Sequence, residues 1–397
     1  MQVTVFPSHL HGTVNAPRSK SAAHRLLVCA ALSEGVSTVR SLPAGDDVAA
    51  TLDALRRFGA EIETEHNVVF VRGIPRKKAE PVTVHCRESA STLRFLIPLA
   101  LLTGRETLFC GEGRLLSRPV DAYRPVCEQA GGSLTVRDDG ILVRGKLRPD
   151  VYEIDASQSS QFVSGMLMAL GGIGGGSLRL LSPPVSRPYV DRTVDALARF
   201  GVKVTEESGT FTVLGKCRPC RTRVEGDWSS GAVWHAANAL GASIAVTGLD
   251  ENSGQADEAV KEHLASLCDG AKTISLADTP DLFPLLAAVA AAKHGATFTD
   301  IARLCFKESD RVAAMKEELV KFGAAVDVTD DTFRVLPPKG GIVPPKEPLS
   351  GHHDHRVVMA LSVLCCVTGG TVTDAEAVTK SYPAFFTRLR SLGADIR

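Results

Sequence analysis

The chain has 397 residues, of which 44% are hydrophobic, and this length exceeds what one hydrophobic core usually holds. Lysine and arginine total 45 and are balanced by 45 aspartates and glutamates, so no global field attracts nucleic acid or an anionic membrane. We therefore expect two globular domains whose anion sites are local.

The cysteines and the N-terminus indicate the compartment. Cys29, Cys365 and Cys366 lie inside apolar helical segments, which is typical of small core residues in a reducing environment. Residues 1–6 lack the basic and apolar regions of a signal peptide, and no later stretch is long and uncharged enough to span a bilayer. We predict a cytoplasmic protein with no membrane partner.

In chain order, the first predicted helix follows Pro17-Arg18-Ser19-Lys20-Ser21 and continues through apolar residues 26–32. A hydroxyl group at a helix N-cap satisfies backbone N–H groups, and the helix dipole adds partial positive charge, so this end can bind an anion. A capped helix with solvated cations explains this copy equally well. Repetition along the chain favours the anion site.

Six apolar segments of this kind end in glycine, and each is followed by a short β-rich run. The glycines are Gly35, Gly104, Gly171, Gly241, Gly295 and Gly369. Glycine is the usual residue just beyond a helix C-terminus. A second, amphipathic helix then follows, most clearly at residues 51–62, 193–204 and 315–326. The chain therefore contains an internal repeat.

Four of the six copies continue into alternating strands around a turn. These copies cover residues 67–73, 134–145, 202–215 and 326–336. The repeat unit is βαβαββ, and we predict six units in an α/β fold of two domains. Residues 14–224 would form one three-repeat domain, and residues 1–13 plus 225–397 would form the other. The apolar first helices would be central, because only the second helices have a solvated face.

The starts of the six buried helices share hydroxyl or carboxylate side chains. They read Ser19-Lys20-Ser21, Ser89-Ala90-Ser91, Ser159-Ser160-Gln161, Asp227-Trp228-Ser229, Asp278-Thr279-Pro280-Asp281 and Asp354-His355-Arg356. If the repeats are pseudo-symmetric, these ends converge on one face of each domain. We predict an anion-binding cleft between two such faces.

Cations lie at the same helix starts or in the loops that enter them. They are Lys20, Arg25, Arg94, Arg118, Lys307, Arg311, Arg356 and Lys380. Each alone is typical of a surface charge, but together they indicate a ligand with several negative groups. Asp281 and Glu308 are the acid–base candidates among them, with helix capping as the alternative role.

Three other motifs predict no cofactor or metal. The run from Gly171 to Ser177 follows a helix and matches neither dinucleotide nor P-loop spacing, so we interpret it as a C-cap and turn. Cys217-Arg-Pro-Cys220 has no second pair at zinc spacing. Consecutive histidines rarely converge on one ion, so residues 352–355 do not indicate a metal site either.

The motifs as a set resemble the EPSP synthase family of enolpyruvyl transferases over essentially the whole chain. They are Ser19-Lys20-Ser21 with Arg25, Ser91-Thr-Leu-Arg94, Ser117-Arg118-Pro119, Ser159-Ser160-Gln161, Ser186-Arg-Pro-Tyr189, Glu225-Gly-Asp227, Thr279-Pro-Asp281, Lys307-Glu308-Ser-Asp-Arg311, Asp354-His355-Arg356 and Lys380-Ser-Tyr-Pro383. The resemblance implies a fold of the inside-out α/β barrel type and a monomeric enzyme without a cofactor or metal.

The resemblance also implies a reaction and roles for these residues. The enolpyruvyl group of phosphoenolpyruvate would move to the 5-hydroxyl of shikimate 3-phosphate, releasing phosphate in the shikimate pathway to chorismate and aromatic amino acids. The implied ligands of shikimate 3-phosphate are Lys20, Ser21, Arg25, Ser159, Ser160, Gln161, Ser186, Tyr189, Asp281 and Lys307. Those of phosphoenolpyruvate are Lys20, Ala90, Arg94, Arg118, Gln161, Arg311, Arg356 and Lys380. Asp281 would be the base and Glu308 the proton relay, with Lys20 contacting both substrates.

Some positions depart from the family pattern. Arg18 stands where a small residue or proline is common, and Glu88 and Arg303 stand where asparagine is common. Ala90 stands where most members have glycine, against the pocket that glyphosate, the family's inhibitor, shares with phosphoenolpyruvate. We therefore expect weak inhibition by glyphosate.

Two alternatives remain open at this stage. The related UDP-N-acetylglucosamine enolpyruvyl transferases carry asparagine after the first lysine, where this chain has Ser21, and a reactive cysteine nearer to the Arg-Pro pair than Cys110. A non-catalytic module that binds anions or RNA ends would not need Asp281 and Glu308 among so many cations.

Overall fold

The computed structural model describes residues 1–75 and 80–397. In these ranges twelve α-helices form: α1 Lys20–Leu32, α2 Asp46–Arg57, α3 Ala90–Thr103, α4 Arg124–Gln129, α5 Ser160–Ile173, α6 Arg187–Arg199, α7 Trp228–Ala239, α8 Val260–Asp269, α9 Phe283–Ala292, α10 Arg311–Lys321, α11 His355–Thr368 and α12 Phe385–Ser391. Short 3-10 helices cover Leu115–Ser117, Asp121–Tyr123, Ala256–Ala259, Ala302–Phe306 and Ala375–Lys380.

Twenty strands lie in the same described ranges. They are β1 Val3–Val5, β2 His11–Asn15, β3 Val36–Arg40, β4 Glu61–Glu65, β5 Val68–Arg72, β6 Val82–His85, β7 Thr107–Cys110, β8 Ser133–Arg137, β9 Gly140–Arg144, β10 Val151–Ile154, β11 Gly175–Leu180, β12 Lys203–Glu207, β13 Thr210–Leu214, β14 Arg221–Arg223, β15 Ser243–Thr247, β16 Lys272–Ser275, β17 Ala296–Thr299, β18 Ala325–Val328, β19 Thr332–Leu336 and β20 Gly370–Val372.

Four sheets have the strand content that the repeat predicts. Their orders are β14-β3-β5-β4, β6-β7-β9-β8, β10-β11-β13-β12 and β16-β17-β19-β18. In each sheet the first pair is parallel and the rest are antiparallel. The first predicted hairpin is shifted, because its turn lies at residues 66–67 and β4 precedes it.

The prediction of six complete βαβαββ units is wrong for two of them. The pairs β15-β2 and β1-β20 form two-stranded sheets, and no hairpin follows α8 or α12 in the described chain. Five βαβα cores therefore remain in the described part of the chain, and four of them carry the closing hairpin. The sixth copy has α11, β20 and α12, with an isolated bridge at Leu349 in place of a strand before α11. Within the described residues the strands form six separate sheets and no closed barrel.

Two strands exchange places at the boundary between the repeats. Strand β2 precedes α1 in the chain but pairs in parallel with β15, whereas β14 precedes α7 and pairs in parallel with β3. The chain accordingly separates into two compact units, residues 18–225 and residues 1–17 with 226–397. The first boundary falls after residue 17 because the pairing of β2 keeps residues 11–15 with the second unit.

The apolar first helices lie at the centre of each unit, as predicted. Helices α3 and α5 are buried along most of their length, and they pack closely where a Cβ on Gly165 would lie 2.7 Å from the Arg94 carbonyl oxygen. Helices α9 and α11 have the same role in the other unit. The amphipathic α2, α6 and α10 each bury one face only, because their other face is polar.

Three smaller predictions can also be compared with the structure. Cys29, Cys365 and Cys366 are buried thiols, as expected of core residues. Gly174 ends α5 in the left-handed region at φ 104°, which confirms the C-cap. The predicted turn is wrong, because residues 171–173 still belong to α5 and residues 175–177 lie in β11. Among the described residues, no helix combines the length and the apolar character needed to cross a membrane.

Candidate active site

The three central helices of residues 18–225 begin with the same local structure. Ser19, Ser89 and Ser159 occupy the N-cap positions of α1, α3 and α5, and each hydroxyl oxygen accepts a hydrogen bond from a backbone N–H one turn later, at 3.2 to 3.3 Å. Serine caps a helix without adding charge. The side chains that follow each cap therefore lie at positively polarised helix ends.

Arg94 brings two of these helix starts together. Its guanidinium donates to the Gln161 amide oxygen at 3.0 Å and to the Ser159 hydroxyl at 3.4 Å. The Gln161 amide nitrogen donates to the Ser91 hydroxyl at 3.0 Å. Arg94 also donates to the Pro119 carbonyl at 2.9 Å, which fixes the segment that carries Arg118. This group matches part of the predicted ligand set.

Arg25 is buried and held by neutral groups. It donates to the Ser21 hydroxyl at 2.7 Å, to the Thr193 hydroxyl at 2.7 Å and to the Tyr189 carbonyl at 2.9 Å. Burial lowers the pKa of Arg25 to about 10, which leaves it cationic at neutral pH. Its hydrogen-bonding partners thus include two predicted ligands and Thr193, which the sequence did not single out.

Lys20, Ala90 and Ser160 lie on the same three helix starts, whereas Ser186 precedes α6. Ser160 is the buried first residue of α5, and Ala90 is the first residue of α3, with 6% of its surface exposed. Ser186 precedes α6 with φ 51°, a left-handed conformation that is strained for serine. Lys20 forms an ion pair with Asp47 at 2.7 Å, a partner that sequence reasoning missed.

The acid–base candidates lie in the other unit and share one guanidinium group. Arg311 is 1% exposed and donates to Asp281 at 2.7 Å, to Glu308 at 2.9 Å and to Asp354 at 2.8 Å. Lys307 also binds Asp281, at 3.0 Å. The structure therefore brings together four of the residues predicted for catalysis and substrate binding, and it adds Asp354 as a further partner of Arg311.

These contacts set the protonation of Asp281. Burial raises its pKa, but the positive charges of Lys307, Arg311 and Arg356 outweigh burial and hold it well below the usual range. Burial lowers the pKa of Lys307, and Asp281 partly offsets this. Asp281 is therefore an anion at neutral pH and can accept a proton, as a general base must.

Arg356 and Lys380 complete the predicted set in this unit. Arg356 is 3% exposed; its guanidinium donates to the Ser229 carbonyl at 2.5 Å and lies 4.0 Å from an Asp281 oxygen. Lys380 donates to the His353 carbonyl at 2.6 Å. The start of α11 thus places Arg356 beside the proposed base.

The side chains of the consecutive histidines His352 and His353 point to different partners. His352 faces Glu318 at 3.2 Å, whereas His353 faces Asp374 at 3.5 Å. Glu318 is fully buried and already accepts from Lys321 at 2.9 Å and from the Ser350 N–H at 3.0 Å. Each histidine has its own acidic neighbours, with ligand atoms within 4.8 Å of one another: Glu317 and Glu318 beside His352, and Asp374 and Glu376 beside His353.

Two departures from the family pattern have structural partners of their own. Arg303 donates to the carbonyls of Leu276 and Ala277, just before the segment that carries Asp281. Glu88 packs on Gly113, where an added Cβ would lie 2.1 Å from its carboxylate oxygen. Arg303 thus contacts the backbone that leads to the proposed base.

Solved structures of other proteins share this fold. A solved EPSP synthase from Acinetobacter baumannii superimposes with a TM-score of 0.78 at 22% identity, covering 100% of this chain and 99% of that one. The enolpyruvyl transferase NikO from Streptomyces tendae gives 0.75 at 17% identity, covering 100% and 98%. At such identities the likeness concerns the fold, and the fold is that of the two-domain α/β enolpyruvyl transferases.

Sequence relatives narrow this class to one family. The family model described as EPSP synthase (3-phosphoshikimate 1-carboxyvinyltransferase) matches residues 6–389. The 3-phosphoshikimate 1-carboxyvinyltransferase of Clostridium kluyveri is 36% identical over 99% of this chain and 98% of its own length. The enzyme of that name from Clostridium novyi is 33% identical over the same shares. The chain belongs to the EPSP synthase family.

Proposed function

We infer that this chain transfers the enolpyruvyl group of phosphoenolpyruvate to the 5-hydroxyl of shikimate 3-phosphate. The new bond joins that hydroxyl oxygen to C2 of phosphoenolpyruvate, and inorganic phosphate leaves from the same carbon. Family membership over residues 6–389 supports this reaction as the step of the shikimate pathway that the enzyme performs. The proposed roles of individual residues rest on the contacts described above.

One observation carries the assignment of acid and base. Arg311 holds Asp281 and Glu308 on different nitrogens of one buried guanidinium group. We assign Asp281 as the base that removes the proton from the 5-hydroxyl, and Glu308 as the acid that protonates the methylene carbon. Two carboxyl groups fixed in this way can take opposite protonation states, because each has its own set of charged neighbours.

The helix starts offer donors that suit both substrates. We propose that Lys20, Ser21, Arg25 and the groups near them bind shikimate 3-phosphate, because hydroxyl and guanidinium donors suit a phosphate ester. The other proposed ligands of shikimate 3-phosphate are Ser159, Ser160, Gln161, Ser186, Tyr189 and Lys307. We propose that phosphoenolpyruvate contacts Lys20, Ala90, Arg94, Arg118, Gln161, Arg311, Arg356 and Lys380, where planar guanidinium groups match its phosphate and carboxylate.

Substrate binding should itself activate the base. In the free protein three cations hold the pKa of Asp281 low, which makes it a weak base. Anions bound to Lys307, Arg311 and Arg356 would offset part of that positive charge and raise the proton affinity of Asp281. The base would then become effective once both substrates are in place.

We further propose that the enzyme acts as a monomer in the cytoplasm. All ten cysteines are free thiols, which suits a reducing compartment. Light scattering coupled to size-exclusion chromatography tests the oligomeric state.

The reaction is tested by phosphate release from phosphoenolpyruvate. We expect steady release only when shikimate 3-phosphate is present, and loss of release in Glu308→Gln. A protein that binds both compounds but never releases phosphate would instead support a non-catalytic binding module.

A further inference from the structure

Asp257 is a buried carboxyl group with no role in the site described so far. It lies on the 3-10 helix Ala256–Ala259 and is 3% exposed. The preceding residue but one, Gln255, ties this turn to the start of α7. Its amide nitrogen donates to the Gly226 carbonyl at 2.7 Å, and its amide oxygen accepts from the Trp228 N–H at 3.1 Å.

The start of α7 in turn holds Arg356. The Ser229 carbonyl accepts a hydrogen bond from one guanidinium nitrogen of Arg356, and a second nitrogen lies 4.0 Å from an Asp281 carboxylate oxygen. The third nitrogen, Nε, is buried and makes no hydrogen bond within the described part of the chain. The turn that carries Asp257 therefore packs against the same helix start that positions Arg356.

Charge links Asp257 to the proposed base. Burial and the negative charge of Asp281 raise the pKa of Asp257 to about 6, while Arg356 opposes the rise and Asp227 adds to it. The charged groups that act on Asp257 lie at the start of α7, at the start of α11 and just before α9; they are Asp227, Arg356 and Asp281. A small change in these charges would alter its protonation near neutral pH.

We propose that Asp257 is a positioning residue for this reaction, whose buried carboxyl group takes up a proton from solvent when phosphoenolpyruvate binds beside Arg356. The inference rests on the proposed role of Arg356 in the site. A bound anion weakens the attraction between Arg356 and the Asp257 carboxylate, so this carboxylate gains a proton and becomes neutral. The charge of Arg356 is then available to the substrate, and repulsion between Asp257 and Asp281 disappears.

Proton uptake is the direct test. Titration calorimetry of phosphoenolpyruvate alone, in two buffers of different ionisation enthalpy, gives the protons taken up without turnover, because the acceptor substrate is absent. We expect the native protein to take up more protons than Asp257→Asn at about pH 7, and the difference to vanish below about pH 5, where the carboxyl group is already protonated. Equal uptake by the two proteins at about pH 7 would overturn the proposal.

Glu258→Gln is the matched control. Glu258 lies on the same turn and loses the same charge, but it pairs with Lys261 at 3.3 Å. We expect this variant to take up protons as the native protein does. If Glu258→Gln and Asp257→Asn reduce uptake equally, the effect is one of net charge on the turn, and the proposal fails.

The pH dependence of KM separates positioning from a purely structural role. We expect the KM of the native enzyme for phosphoenolpyruvate, divided by that of Asp257→Asn, to rise several-fold between about pH 5 and about pH 8. The titration of the substrate cancels in this ratio. A ratio that stays constant with pH would indicate a structural role and contradict the proposal. Asp281→Asn, assayed alongside, tests the proposed function independently, because it should lose turnover whatever Asp257 does.

Unfolding provides a check that does not depend on activity. A folded pKa near 6 against an ordinary value of 3.8 means that the folded state binds the proton more tightly. Ionised Asp257 therefore destabilises the fold, and this cost grows as pH rises through that window. We expect the Tm of Asp257→Asn relative to the native protein to increase from about pH 4 to about pH 6 and then level off. A Tm difference that falls over this range would count against the buried, ionisable carboxyl group on which the proposal depends.

Discussion

The two compact units place cations at helix starts in different ways. In residues 18–225 the central helices are capped by Ser19, Ser89 and Ser159, and Arg25 is held by hydroxyls and carbonyls. In the other unit Asp227 and Asp354 cap α7 and α11, and Asp354 also binds Arg311. Neutral caps leave positive charge available for anionic substrates, whereas aspartate caps neutralise it.

This difference explains why we place the acid–base pair in the aspartate-capped unit, whereas the proposed substrate ligands lie in both units. A general acid and a general base need neighbouring charges that separate their pKa values, and the network around Arg311 provides such charges. A phosphate site needs hydroxyl and cationic donors, and the serine-capped helix starts provide these, with Lys20 already paired with Asp47. The predictions below test this contrast.

The largest expected effect is on stability. Arg311→Met leaves Asp281, Glu308 and Asp354 without their shared cation, and breaking a buried ion pair in this way costs about 3–5 kcal/mol. Arg25→Met leaves only neutral hydrogen-bonding groups without their partner, and this should lower the free energy of unfolding by about 1–3 kcal/mol. Urea unfolding of the two variants measures the difference. Equal losses would contradict the contrast between the two units.

The next effect concerns the phosphoenolpyruvate side of the serine-capped unit. Ala90 follows the Ser89 cap as the first residue of α3. Glyphosate is slightly longer than phosphoenolpyruvate, so we expect the Ala90 methyl group to obstruct it. This should weaken glyphosate binding by about 1–3 kcal/mol, or ten- to a hundredfold in affinity. The Ala90→Gly variant should therefore be inhibited by glyphosate, while its KM for phosphoenolpyruvate changes little. Inhibition titrations of both proteins test this, and tight inhibition of the native enzyme would show the prediction to be wrong.

A smaller effect should follow from changing one cap. Ser159→Asp still caps α5 but puts a carboxylate near Arg94, whose guanidinium lies 3.4 Å from the Ser159 hydroxyl. We expect KM for shikimate 3-phosphate to rise about tenfold, because the new charge repels a phosphate and pairs with Arg94. Ser159→Asn is the control, since it caps without charge. If both variants behave alike, charge at the cap is not what distinguishes the units.

The smallest effect is a shift of the pH profile. The pKa of Asp281 lies well below the usual range in the free protein because of Lys307, Arg311 and Arg356. A lowered carboxyl pKa keeps the base ionised, so kcat/KM should fall only in strongly acidic solution. Bound anions should raise that pKa, so the acid limb of kcat should lie at higher pH than that of kcat/KM. Coincident limbs would argue against activation of Asp281 by the substrates.

Much of the fold and of the candidate site could be predicted because the signals are local. Serine before an apolar run predicts a capped helix start, and the structure places such a cap at Ser19, Ser89 and Ser159. Alternation around turns predicts the hairpins, which four of the repeats contain. The motifs at these helix starts were also sufficient to name the family.

Partners far apart in the chain could not be predicted. Thr193 binds Arg25 from 168 positions away, and Asp354 binds Arg311 from 43 positions away, and neither pairing leaves a periodic signal. The exchange of β2 and β14 between sheets has the same origin, because a strand pattern does not specify its partner. Asp257 was missed because a single aspartate beside a helix resembles an ordinary surface residue.

The most direct test compares Asp281→Asn with Arg25→Met, measuring affinity for shikimate 3-phosphate and turnover in each variant. We expect Asp281→Asn to keep affinity within a few-fold of the native enzyme and to lose roughly 100-fold or more in turnover. Arg25→Met should lower the affinity for shikimate 3-phosphate more than it lowers turnover, because it removes a cation from the serine-capped unit. Near-normal turnover in Asp281→Asn, with its affinity intact, would contradict the division of roles between the two units.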